Sequence, residues 1–159
     1  MKKFIFCCLV VLMGSCKDDD DKTPEPDPDF TTEFVGNYAT KTADSVSATN
    51  HLWEVTAKAK NQLGILYTKN ITVTISGLEQ TGFQKYTLIN VVPSSKDAFT
   101  INEVVDVEQS NGKPLKQKVE GIATKVTNSA GKAQLNITVK LTNAANSAAT
   151  EEYLEFKKQ

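Results

Sequence analysis

Apolar and polar residues alternate along most of the chain after residue 34. Leu135-Asn136-Ile137-Thr138-Val139-Lys140-Leu141-Thr142 is the cleanest run, and Ile71-Thr72-Val73-Thr74-Ile75-Ser76 is the next. A period of two places successive side chains on opposite faces of the backbone, so both runs predict strands with one buried face and one wet one. The same pattern predicts further strands over Val35 to Lys41, Leu52 to Ala59, Phe83 to Val91, Phe99 to Val107, Lys116 to Val126 and Glu152 to Phe156. Breakers stand between them: Gly77, Pro93-Ser94-Ser95, Asn111-Gly112-Lys113-Pro114, Ser129-Ala130-Gly131 and Asn143 to Ser147. Asn111-Gly112 is the pair a tight hairpin prefers, because both central residues of that turn take positive φ.

Two stretches read less simply. Between Asp44 and Lys60, Leu52, Val55 and Ala59 also suit one face of a helix that Asn50 would cap, so strand and helix compete there. Around Gly121 the alternation breaks, which predicts a bulge or a sharp bend of the sheet. Eight short strands in one domain spanning 34–159 predict an all-β fold. An eight-stranded antiparallel up-and-down barrel fits, with a β-sandwich as the alternative; the barrel is preferred because closure removes exposed strand edges.

Phe34-Val35-Gly36-Asn37-Tyr38 resembles the Gly-x-Trp or Gly-x-Tyr opening of lipocalin-like, calycin-type domains, and Ile71 to Phe156 resembles the meander of calycin-like lipoproteins from Bacteroidetes. The resemblance implies the barrel. The lipocalin pattern also stacks a C-terminal Arg on its Trp. Here Tyr38 takes the Trp position in a chain with no Arg, which leaves Lys157 or Lys158 as the substitute cation and Tyr38 as a plug that closes the barrel.

The first residues carry an address. Lys2 and Lys3 precede an apolar run from Phe4 to Met13, followed by Gly14, Ser15 and Cys16, which is signal-peptide grammar over residues 1–15. As a helix the run would span about 15 Å, half of a hydrocarbon core, so a permanent transmembrane helix is not expected. Leu12-Met13-Gly14-Ser15-Cys16 resembles the lipobox of bacterial lipoproteins, which implies that Cys16 becomes the acylated mature N-terminus. The alternative is a secreted protein left with one unpaired thiol, a liability in an oxidising compartment.

Lys17-Asp18-Asp19-Asp20-Asp21 follows at once and resembles the acidic export signal of Bacteroidetes surface lipoproteins; a merely solvated acidic run is the other reading. Thr23-Pro24-Glu25-Pro26-Asp27-Pro28-Asp29 reads as an extended stalk, so residues 16–33 form a lipidated tether. The expected location is the outer membrane, lipid-anchored and facing outward.

Charge narrows the partners. The chain has 159 residues and a formal net charge of −1. All of its cations are lysines, and no basic surplus exists to attract a phosphate backbone, so nucleic acid is not an expected partner. Residues 18–33 carry eight carboxylates against one lysine, whereas residues 34–159 carry 14 lysines against 11 carboxylates. The stalk is therefore acidic and the body mildly basic.

Chemistry is sparse. His51 is the one histidine, beside the one tryptophan, Trp53, and a general base needs a nucleophile and an orienting group within reach. Glu54, Glu103, Asp106, Glu108 and Glu120 show no pairing in their spacing and read as wet-face residues. No catalytic residue, metal site or cofactor is assigned, and the expectation is a non-enzymatic protein. Asp44-Ser45-Val46 matches the Asp-Ser/Thr-apolar tripeptide at which Bacteroidetes O-glycosylate exported proteins, which makes Ser45 a candidate acceptor.

Two functions stay open. A small apolar or amphipathic ligand would sit inside the barrel against Ile71, Val73, Ile75, Phe99, Ile101, Leu135, Ile137, Val139 and Leu141. Alternatively those side chains fill the interior, and the outer surface acts as an adhesin, glycan-binding or inhibitor module through aromatics such as Tyr67, Tyr86 or Tyr153.

Overall fold

A computed structural model describes residues 27–159; the signal segment, Cys16 and Lys17 to Asp21 lie outside the described residues. Eight strands follow one another: β1 (Gly36–Ala43), β2 (Ser47–Ala59), β3 (Gln62–Ile75), β4 (Leu78–Ser95), β5 (Ala98–Gln109), β6 (Leu115–Thr127), β7 (Ala133–Asn143) and β8 (Ala149–Lys158). Each pairs antiparallel with the next, and β8 returns to β1 to close the barrel. The sandwich alternative is thereby excluded. Residues 47–59 are strand, not helix: His51, Trp53 and Val55 are buried and alternate with exposed Leu52 and Glu54.

Several expected details change. β3 starts at Gln62 rather than Ile71, because the phase of Ile71 and Val73 continues backward through Lys69, Tyr67, Ile65 and Leu63. β4 runs through Pro93, expected as a breaker. The ladder to β5 shifts register between Pro93 and Ser95, and the missing proline N–H is tolerated at such an irregularity. At the Asn111-Gly112 turn only Gly112 takes positive φ, at 65°, with its N–H on the Gln109 carbonyl at 3.0 Å. The two-residue turn with both central φ positive stands instead at Ser76-Gly77, between partners Ile75 and Leu78.

Gly121 carries no bulge, since the pairings on either side keep one register. A Cβ there would lie 2.8 Å from both Ile137 Cδ1 and the Thr138 carbonyl oxygen, so the glycine lets β6 approach β7. The bulge lies on β4, where the Glu103 carboxylate accepts the N–H groups of Ile89 at 2.9 Å and Asn90 at 3.1 Å. A carboxylate thus satisfies donors that the splayed β4–β5 ladder leaves without a strand partner.

Register stacks the interior in layers. Val55, Ile65 and Leu88 align across β2, β3 and β4; next along the barrel come Tyr38, Trp53, Tyr67 and Tyr86 across β1 to β4; above them stand Thr40, His51, Lys69 and Gln84, with Gln109 on β5 beside Gln84. The aromatic layer meets the opposite wall: Trp53 stacks on Phe156 with ring centroids 4.1 Å apart and lies 6.1 Å from Phe99. These rings span the lumen and fill it.

The end below the aromatic layer is plugged. A 3-10 turn, Thr31–Glu33, leads into Phe34, which is fully buried and packs edge-on against Phe99 at 5.1 Å. Glu33 pairs with Lys125 at 2.6 Å, and the Lys125 ammonium also stands 5.5 Å from the Phe34 ring centroid. Residues expected in the tether take part in this docking. Asn61, at positive φ in the β2–β3 turn, accepts the Phe30 N–H at 3.0 Å and donates to the Pro28 carbonyl at 2.8 Å. Asp29 accepts the Thr31 N–H and hydroxyl and the Asn61 N–H, which holds its carboxyl below the usual range. Tyr38 does plug the barrel: its hydroxyl donates to the Phe34 carbonyl at 2.9 Å, and the Lys158 ammonium stands 5.7 Å from its ring centroid.

Candidate functional site

The opposite end is built differently. The hairpins β1–β2, β3–β4, β5–β6 and β7–β8 all turn there, and β3–β4 overshoots its neighbour, since β4 meets β5 only from Gln84 onward. Between this hairpin and the β5–β6 turn lies a groove of about 290 Å³. Ile71, Val73 and Ile75 form its apolar wall, and Gln84 and Gln109 its floor.

The floor is a hydrogen-bonded polar layer. The Tyr86 hydroxyl lies 3.0 Å from Gln84 Oε1 and 2.9 Å from Gln117 Oε1 on β6, so its single proton serves one of them. Gln84 Nε2 donates to Gln109 Oε1 at 3.3 Å, and Gln109 Nε2 to the Lys113 carbonyl at 3.0 Å. Beside Gln84 in register is Lys69, whose ammonium faces the Glu152 carboxylate at 3.8 Å. Lys69 is on β3 and Glu152 on β8, with β1 and β2 between them in the wall, so this contact crosses the lumen.

His51, in the same layer as Lys69 and Gln84, is wholly buried. Nδ1 is 2.8 Å from the Tyr67 hydroxyl and Nε2 is 3.0 Å from Thr42 Oγ1, with Glu152 Oε1 at 3.6 Å. Burial pulls the imidazole down to about 4, against the opposing field of Glu152, so the ring is neutral at pH 7. Burial also lowers the Lys69 ammonium, with Glu152 acting against it, and raises the Tyr67 hydroxyl well above its ordinary value. A neutral imidazole between two hydroxyls donates to one of them and accepts from the other.

The expected lining divides. Ile71 and Val73 are half-buried on the groove wall, and Ile75, 54% exposed, reaches the hairpin tip. Phe99, Ile101, Leu135, Ile137, Val139 and Leu141 are buried core instead, because Phe99, Ile101, Leu135 and Ile137 lie toward the plugged end, where rings occupy the lumen. Tyr67 and Tyr86, expected as surface aromatics, point inward in phase with Ile65 and Leu88; Tyr153 alone of the three is exposed. Ser45 is exposed at the β1–β2 tip beside Asp44, whose carboxylate accepts the Val46 and Ser47 N–H groups at 2.8 and 2.7 Å. Of the expected wet-face carboxylates, Glu54, Asp106 and Glu108 are exposed, Glu120 pairs with Lys118 at 2.7 Å, and Glu103 is the bulge cap.

Sequence reasoning missed Lys69, Gln84, Gln109, Gln117 and Glu152. The signal was their phase: Lys69 keeps step with Tyr67 and Ile71, and Glu152 with Leu154 and Phe156.

No family model matches the chain, and no curated protein matches it. Among solved structures it is similar to "Structure of EF1p2_mFAP2b bound to DFHBI", at 16% identity over 82% of this chain and 97% of that one, with a TM-score of 0.45.

Proposed function

We propose that this protein is a non-enzymatic lipoprotein of the outer membrane surface, held by Cys16, whose barrel receives a small amphipathic molecule at the end away from the anchor. One observation carries the reading. The chain enters the barrel at the plugged end, through the Asn61 contacts to Pro28 and Phe30, while the groove with an aliphatic wall and a polar floor opens at the other end. An anchored body with this polarity directs its opening outward. The acidic stalk, repelled by anionic headgroups, extends the separation.

The groove has the character of a small-molecule site, with apolar walls that supply affinity and a few polar groups that fix orientation. Because the polar layer is deep and the aliphatic side chains are at the rim, the ligand enters head first. Trp53, buried in the ring layer under the floor, is the natural reporter.

Two measurements test the reading. Cys16→Ala should move the protein from the membrane to the soluble fraction; unchanged fractionation would remove the anchor. The chain from Lys17 onward contains the closed barrel and its docked entry segment, and it should bind an amphiphilic fluorescent probe saturably with a change in Trp53 emission. Val73→Trp, which fills the groove, should abolish that binding, and an unaltered titration would show that the probe sits elsewhere.

A further inference from the structure

Lys69 and Glu152 are the only charged side chains at inward-facing positions in the open half of the barrel among the described residues. Glu103 also falls at an inward phase, but its carboxylate is committed to the β4 bulge. The side chains of Lys69 and Glu152 are 14% and 37% exposed. Both occupy inward-facing register positions, and Lys69 stands beside Gln84 of the groove floor, one register step behind the residues that line the groove itself. The Lys69–Glu152 separation of 3.8 Å is longer than a direct hydrogen bond, which for such a pair would be about 2.7–2.9 Å. An ammonium has three donors and a carboxylate about four acceptor sites, so each retains capacity beyond this one contact.

A ligand head that bridges this pair from the side of Gln84 must accept from Lys69 and donate to Glu152. Hydroxyl and primary amide groups do both; a carboxylate only accepts, and an ammonium only donates. Charge sharpens the distinction. The pair is balanced, so an incoming anion would sit beside Glu152 and leave a net buried negative charge, and an incoming cation would do the converse beside Lys69. The surrounding floor groups, Gln84, Gln109, Gln117 and the Tyr86 hydroxyl, are neutral donors and acceptors that add no bias of sign.

We infer that the Lys69–Glu152 pair makes the barrel floor a receiver for an uncharged head group, an alcohol or a primary amide, and turns away carboxylates and ammonium ions of the same tail. This rests on the amphiphile-binding reading above and adds the head-group class. Glu152 and Lys69 act as specificity-determining residues, one against each sign of charge.

The test is a matched series sharing one tail: 1-octanol, octanamide, octanoate and octylammonium, titrated by calorimetry into the chain from Lys17 onward at pH 8. Octanol and octanamide should bind at least tenfold more tightly than either ion. Glu152→Gln should raise octanoate affinity relative to octanol about tenfold, and Lys69→Gln should do the same for octylammonium relative to octanol. Equal affinities across the series, or a Glu152→Gln protein whose octanoate-to-octanol ratio is unmoved, would overturn the inference while leaving amphiphile binding intact. Absence of binding by every member would overturn the binding reading, and this inference with it.

Should a variant fail to fold, the unmodified protein gives a second readout. Only the protonated acid is admitted, so apparent octanoate affinity should rise about tenfold per unit of pH from 8 to 6 while octanol stays flat. The titratable groups facing the site are Lys69, Glu152, neutral His51, Tyr67 and Tyr86, the last raised by burial. His51 titrates near 4, and burial raises Tyr67. A flat octanoate profile would also overturn the inference.

Discussion

The two halves of this barrel share one backbone plan and spend their interiors differently. Below the layer of Tyr38, Trp53, Tyr67 and Tyr86, inward positions are apolar and almost fully buried, and the Phe34 plug and the Glu33–Lys125 pair seal the end. Above it stand Lys69, Glu152, Gln84, Gln109 and Gln117, with half-buried Ile71 and Val73 over them. A polar layer inside a barrel adds little net stability over an apolar one of the same shape, because each polar group must first be desolvated. The plugged half therefore carries most of the ring packing, while the open half combines its polar layer with apolar residues such as Val139 and Leu141.

The strongest way to break this division is truncation on either side of it. Phe156→Ala removes the ring stacked on Trp53 and should cost about 3–5 kcal/mol in urea denaturation followed by circular dichroism. Val73→Ala at the groove should cost about 1 kcal/mol or less. Similar costs for the two would erase the distinction between scaffold and site.

Acid probes the boundary between the halves. His51 titrates near 4 in the folded protein against an ordinary 6.5. As pH falls the unfolded chain takes the proton first, so stability is complete above about pH 6.5 and is lost toward pH 4, by on the order of 3 kcal/mol. Glu152, at 3.6 Å, opposes the loss and does not reverse it. His51→Gln should flatten that part of the profile; denaturation midpoints at pH 7.5, 5.5 and 4.5 that fall equally in both proteins would contradict the assignment.

Added volume discriminates more finely. Gly121→Ala drives a methyl against Ile137 and the Thr138 carbonyl, both at 2.8 Å, and should cost about 1–3 kcal/mol. Gly82→Ala near the mouth meets only the rotatable Ser110 hydroxyl at 2.9 Å, and thermal melts should place it within about 0.5 kcal/mol of the parent. The entry segment is a local test: Asn61→Ala should cost about 1 kcal/mol, speed hydrogen exchange at the Phe30 amide, and leave groove binding untouched. Slower binding kinetics in that variant would mean that the two ends communicate.

The scaffold was largely legible and the site was not, for one physical reason. Alternation in 135–142 or 71–76 is local, so all eight strands could be read from neighbours in the chain. Closure through β1 and β8 could be argued from the cost of an open edge. The site depends on contacts across the lumen, Lys69 to Glu152 and Tyr86 to Gln117, between strands distant in sequence. A lysine or glutamate in phase with Tyr67 or Phe156 looks like an interruption of the pattern rather than a member of it. The plug was obscured by composition: Pro28, Asp29 and Glu33 share the stalk's acidic, proline-rich character, and only the capping of Thr31 by Asp29 separates them from it.

The described residues enter and leave the barrel at the plugged end, and the seam that joins β1 to β8 there is short, with Tyr38 opposite Lys158 and Ala39 opposite Lys157. Drag on a body tethered by the preceding chain would reach that seam through residue 36. Before it does, the load meets the grip of Asn61 on Pro28 and Phe30 and the link from Glu33 to Lys125. Those contacts would act as strain relief, taking up a pull along the preceding segment before it could part β1 from β8.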